Sequence, residues 1–276
     1  MNSETGGKRH GRSSPSPIRT LLPKLLDQHK LLASSLGTRR AEDAWVANLG
    51  KLVANSRPEQ AAEAVAAALA EGIAPEDIGE ALSLAANELV LRDPGRAAAD
   101  GEKQVGSVHG DSVGVHASDA ANAWRNIARV SNQRNTIASL IVGAYHTGGR
   151  SDRLHKDAYP LAEHLEKITT KKADPLLREL SAAIADKDQF RAAALVQRYG
   201  ELGHEARPVF DVLLRFGVSE DGALHAEKYY RTVSEEFAAT RPAFRWRQLV
   251  ALARVTASEC DRPAPGYAQA RELLKA

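Results

Sequence analysis

Cysteine is nearly missing from this chain of 276 residues, with Cys260 standing alone. A single thiol excludes an intrachain disulfide framework, a Cys-rich zinc site and a Cys-ligated iron–sulfur cluster. An excess of one charge is missing too. Lys and Arg total 37 against 35 Asp and Glu, so the formal net charge of +2 makes no field able to collect nucleic acid or anionic lipid. Long apolar runs are also wanting. No window approaches the roughly 18 consecutive apolar residues of a membrane span, so no membrane partner is expected. Pro15, Pro17 and Pro23 interrupt an N-terminal segment whose longest apolar runs are two residues. No secretory signal is therefore expected, and the chain reads as cytoplasmic. Sustained two-residue alternation of β-branched and aromatic residues, the mark of strands, occurs nowhere. There is no His-Glu-x-x-His motif, and three residues after Glu63 and Glu80 stand Ala66 and Ser83.

What remains is helical. Charged residues at 26% and hydrophobic ones at 43% suit a globular protein with a real core. Residues 1–17 are polar, basic and rich in Gly, Ser and Pro, which predicts a disordered tail. From Ile18 onward one helical domain, 18–276, is expected. Leu21, Leu22, Leu25 and Leu26 repeat at helical spacing, as do Trp45, Leu49, Leu52 and Val53. Pro58 and Pro75 sit where first-turn prolines belong, the second followed by Glu76 and Asp77, which suit a helix N-terminus. Residues 95–114 hold four glycines between Gly101 and Gly114 and read as a long loop, a place where function often lies. Further helices are predicted at 115–130, 135–146, from 154 or 160 to 169, 175–186, 188–200, 206–216, 221–238, 242–258 and 266–275. The fold class is all-α, a multi-helix bundle or short α-solenoid-like array.

A weak internal repeat is visible in this pattern. Ala64–Ala86 and Ala194–Gly217 share a helix, a Gly-containing turn and a second helix. Each is followed by a loop and a helix opened by a His-Ala pair, His116-Ala117 and His225-Ala226. Halves near 41–150 and 175–260, related by a pseudo-two-fold, would bring His116 and His225 to related positions.

Seven of the nine histidines fall between His109 and His225, most at helix edges or beside glycines. His109 and His116 flank the glycine-rich loop. His146 ends a helix whose face carries Gly143, Ser139 and Asn135, a small strip along which another helix packs closely, so it is expected in an inter-helix cleft. His225 shares a face with Tyr229, Thr232 and Glu236. Imidazoles and carboxylates on two or three helices suit non-haem iron, zinc or copper. The metal-ligand set is therefore drawn from His109, His116, His146 and His225 with Asp119 or Glu236, for iron or another divalent metal. His109, His116 and Tyr229 are the catalytic candidates. Imidazole titrates near neutrality, so it holds a metal or moves protons while Tyr229, Asp119 or Glu236 orients it. Each histidine taken alone also reads as a helix cap or dipole partner. His155 and His164 lie in a charged, solvated stretch and His204 in a turn, and Trp45, Trp124 and Trp246 read as core anchors. Cys260 reads as inert.

Several short runs resemble the questin oxidase-like helical proteins. They are Gly72-Ile73-Ala74-Pro75-Glu76-Asp77-Ile78 with Ala81 to Ala86, Val108-His109-Gly110, Val115-His116, Ala120 to Ile127, Ala144-Tyr145-His146 and Asp221-Gly222-Ala223-Leu224-His225. The resemblance spans roughly residues 60–255 as a pattern, and related helical segments occur attached to Rieske-type domains. It implies an all-helical, oxygenase-like redox protein with the helix-edge histidines His109, His116, His146 and His225 near the reaction centre. This chain has no Cys-x-His Rieske motif, so the electron donor would be a separate protein or a reduced cofactor. The expectation is an oxidoreductase with a histidine-lined cleft between helical halves, acting on a small-molecule substrate or with a redox partner protein. The alternative is a non-catalytic α-helical interaction module built of stacked helix pairs.

Overall fold

The computed structural model describes residues 17–99, 104–108, 112–149, 154–218, 223–258 and 265–275. The predicted tail, save Pro17, lies outside them, as do His109 and Cys260. Among the described residues there are thirteen helices and no strand, only an isolated bridge between Arg39 and Ile73. The chain is all-α. No helix among the described residues is long and apolar enough to cross a membrane.

In chain order the helices are α1 Ile18–Gln28, α2 Asp43–Asn55, α3 Pro58–Ala70, α4 Pro75–Arg92, α5 Val113–Val130, α6 Gln133–Thr147 and α7 Ala162–Glu166. Then follow α8 Ala173–Ala185, α9 Gln189–Glu201, α10 Arg207–Gly217, α11 Ala223–Ala239, α12 Arg245–Ser258 and α13 Pro265–Leu274. Local chemistry sets many of their starts. Pro58 and Pro75 open α3 and α4, whose first turns carry Glu59 and Glu76 with Asp77 against the helix dipole. Ser112, Asn132 and Asp188 cap α5, α6 and α9 by accepting from the backbone N–H three residues on.

Two apolar clusters form the core. One joins α1, α2, α3, α6, most of α4 and part of α5; the other joins the end of α4 with α8, α9, α10, α11 and α12. Helix α4 serves both, and nearly all of it is buried, as is α12 from Gln248 to Ser258. Small residues let these helices approach closely. Helices α4 and α5 run antiparallel, and a Cβ on Gly114 would stand 2.4 Å from the Val90 nitrogen, so this crossing admits only glycine. Helix α3 lies on α6 and α9 on α12, α5 lies on α6 and α11 on α12, and α5 and α11 lie on each other.

One predicted helix is much shorter than expected. The span from 154 or 160 to 169 is helical only over Ala162–Glu166. The preceding segment is committed elsewhere, because the His155 and Tyr159 N–H groups donate to the Arg92 and Leu91 carbonyls and finish the C-terminal end of α4. Its histidines differ too. His155 is exposed, but His164 is half-buried and stacks on the Phe190 ring at 5.3 Å, beside Tyr159.

Candidate functional site

Helices α5 and α11 run side by side in the same direction, and the line between them is polar from end to end. At its start the His116 and His225 rings meet edge to face, with centroids 5.6 Å apart. His116 is exposed and His225 half-buried, so the pair stands at a mouth open to solvent. Deeper in, Asp119 accepts from the Thr232 hydroxyl at 2.7 Å through Oδ1, while Oδ2 forms an ion pair with Lys228 at 3.0 Å but has no hydrogen bond. Tyr229 is fully buried on the face of His225, one turn further along. Its hydroxyl lies beside that of Ser118, and neither has a further partner. Burial raises the Tyr229 phenol well above its ordinary range, and the Asp119 charge adds to this.

The far end of the line is closed. Glu236 accepts from Asn122 at 3.0 Å and from Arg125 Nη1 at 2.6 Å. Arg125 also donates to Glu76 through Nε at 3.1 Å and to the Ala239 carbonyl at 3.1 Å. Arg129 holds Glu76 from the other side. Burial alone would raise the Glu76 carboxyl, but the hydrogen bond from Arg129 and the charge of Arg125 outweigh it and hold it below the usual carboxylate range.

The start of α5 is fixed by a chain of bonds that the glycine-rich loop supplies. The Asp93 carboxylate accepts from Gly95 N–H at 2.8 Å and from the Ser112 hydroxyl at 2.7 Å, and Ser112 in turn caps α5. Behind the line stands Arg254, with no exposed surface. It donates to the Val90 and Asp93 carbonyls, both at 2.6 Å, and to Gln189 Oε1 at 3.0 Å, so it finishes the α4 C-terminus. Its guanidinium also lies 4.6 Å above the Tyr159 ring. Burial lowers its pKa to about 10 against the opposing charge of Asp93.

The predicted site residues that the structure describes divide into three groups. His116, His225, Asp119 and Tyr229 share the mouth end of one helix pair. Glu236 is on the same seam, but it is the counter-ion of Arg125 and not a free ligand carboxylate. His146 is exposed at the end of α6 with its ring against Tyr145, while Gly143 of the same helix faces Leu82 and Trp124 in the core, so the small strip and the histidine look different ways. His109 lies outside the described residues. Among the described residues no three His, Cys, Asp or Glu side chains gather as a metal site, and the carboxylates of the expected set are engaged by cations.

Among the participants that the sequence reading does not single out are Asn122, Arg125, Lys228 and Arg254. A signal for Arg254 was present, since a lone arginine inside Leu249-Val250-Ala251-Leu252-Ala253-Arg254-Val255 marks a cation in a helix with no polar face. Elsewhere a cleft of about 470 Å³ opens between Tyr159, Pro160, Trp246 and Val250, with Gln197, Glu201 and Arg247 at its edge. Comparison with known protein families, with curated proteins and with solved structures finds no match to this chain in any of the three.

Proposed function

We propose that the chain is an oxidoreductase-type enzyme, oxygenase-like, that acts on a small molecule at the His116–His225 mouth of the α5/α11 line. The observation that carries this reading is the meeting of two imidazoles from separate helices, their ring centroids 5.6 Å apart. Such a pair takes a proton on one ring and releases one from the other, and the Lys228–Asp119 pair and Thr232 hold the walls around it. The redox part rests on the resemblance to questin oxidase-like proteins, with dioxygen as oxidant and a reductant supplied from outside the chain. Dioxygen uptake by the purified protein over a panel of small carbonyl and phenolic compounds tests it. His116→Gln and His225→Gln should each lower turnover about a hundredfold or more. Uptake equal in wild type and both variants would overturn the assignment.

A second reading, a helical interaction module, is favoured by α13. Its Leu273 and Leu274 are 83% and 76% exposed. That reading expects both histidine variants to keep full partner binding.

A further inference from the structure

The cleft beside Tyr159 is a second concave place in the molecule, and the histidine pair makes no use of it. Its volume of about 470 Å³ lies where α9 meets α12, with Gln197, Gly200 and Glu201 on one helix and Trp246, Arg247 and Val250 on the other. Leu91 and the 158–160 segment close the third side. Both aromatic walls are fixed before any ligand arrives. Tyr159 donates its N–H to the Leu91 carbonyl at 2.8 Å, its ring centroid lies 4.5 Å from that of Phe190, and the Arg254 guanidinium stands 4.6 Å from it. Trp246 lies against Gly200, where a Cβ would stand 2.5 Å from the indole, and Phe237 meets the Trp246 ring edge to face at 6.0 Å. Rings held in this way do not turn in to fill the gap, so the cleft is preformed.

Charge decides what fits there. The Glu201 carboxylate is paired with Arg198 at 3.1 Å and accepts from Gln197 at 3.0 Å, while Arg247 is paired with Glu88 at 2.5 Å. Neither lining charge is left for an ionic ligand to meet, and an ion brought between apolar walls without a partner is costly. A cation on Tyr159 is disfavoured further, because Arg254 already stands on that ring. We propose that the cleft binds a flat, uncharged aromatic molecule of naphthalene size, packed on the Trp246 and Tyr159 rings and against Pro160. The proposal goes beyond the acid–base reading of the histidine pair and does not depend on it.

The test titrates N-phenyl-1-naphthylamine, an uncharged probe whose emission rises in apolar surroundings, into the full-length protein, beside its sulfonated analogue 8-anilino-1-naphthalenesulfonate. The two share one ring system and differ in charge. The wild type should bind the neutral probe about tenfold more tightly or better. Gln197→Trp, at the half-buried edge of the cleft, should fill it and abolish binding, while Gln197→Ala should leave binding unchanged. Trp246→Leu should weaken it about three- to tenfold, the loss of one aromatic contact. Gln197 belongs to neither apolar cluster, so the unfolding midpoints of its variants should stay near that of wild type, which separates a blocked cleft from a lost fold. The proposal is overturned by a wild type that ignores the neutral probe, or that binds the sulfonate as well. It is equally overturned if Gln197→Trp binds as wild type does, because the probe then sits elsewhere. His116→Gln and His225→Gln should keep full binding; its loss in them would place the probe at the mouth of the α5/α11 line and sink the cleft, whereas lost turnover with intact binding upholds both sites.

Discussion

The two ends of the α5/α11 line are oppositely finished. At the far end Arg125, 2% exposed, has each of its three nitrogens bonded to Glu76, Glu236 or the Ala239 carbonyl. At the mouth end Asp119 Oδ2 pairs with Lys228 without a hydrogen bond, and the His116 and His225 rings stand at the solvent edge. A closed network of this kind holds helices in register, and here it ties α4, α5 and α11 together across the two cores. An open one costs stability without returning any, so its persistence points to use. The contrast explains why two carboxylates on one seam, Asp119 and Glu236, have different prospects. One stands beside a histidine pair at the solvent edge, and the other is locked to a buried guanidinium.

Breaking the closed end should have the largest effect. Arg125→Met leaves Glu236 buried with only Asn122, and the loss of stability should be about 3–5 kcal/mol in denaturant unfolding. A smaller loss, near that of a surface change, would mean that the network does not hold the halves. Next comes the crossing that aims the mouth. Gly114→Ala would drive a methyl into the α4 backbone at Val90, so a loss of about 1–3 kcal/mol is expected together with a change in the His116 ring signal by NMR.

Three carboxylates, two of them at the closed end and Glu179 on α8, fix the sign of an acid transition. Glu76, Glu179 and Glu235 have folded pKa values below their ordinary ones. Such groups contribute stability that is fully present above the unfolded carboxylate pKa and is lost as pH falls through the folded value. The melting temperature should therefore fall as pH is lowered through and below about 4, and Arg125→Met should flatten that fall. A slope unchanged in the variant would remove Glu76 as its source. The smallest effects belong to the open end. His116→Ala should cost no more than about 0.5 kcal/mol, because the side chain is exposed, while turnover collapses. A large loss of stability with intact turnover would reverse the comparison.

Much of this was legible in the sequence, and for physical reasons. Helix periodicity and first-turn prolines located α3, α4, α5 and α12 to within a few residues, and the face joining His225, Tyr229, Thr232 and Glu236 follows from helix geometry alone. What that face meets is another matter. The pairing of Glu236 with Arg125 spans 111 positions in the chain, and no local pattern carries it. The short α7 was misjudged because its preceding segment is spent on the end of α4, a tertiary demand that overrides local propensity. His146 was misplaced because the glycine strip beside it serves the core, and a helix has more than one face to offer.

The most direct test is to map where a small anionic aromatic binds, by NMR shift changes on isotope-labelled protein titrated with 4-nitrophenolate. The account predicts changes confined to His116, Asp119 and His225, with Arg125 and Glu236 silent. Changes centred instead on Tyr159, Trp246 and Val250 would contradict it and move the site to the cleft on the other side of Arg254.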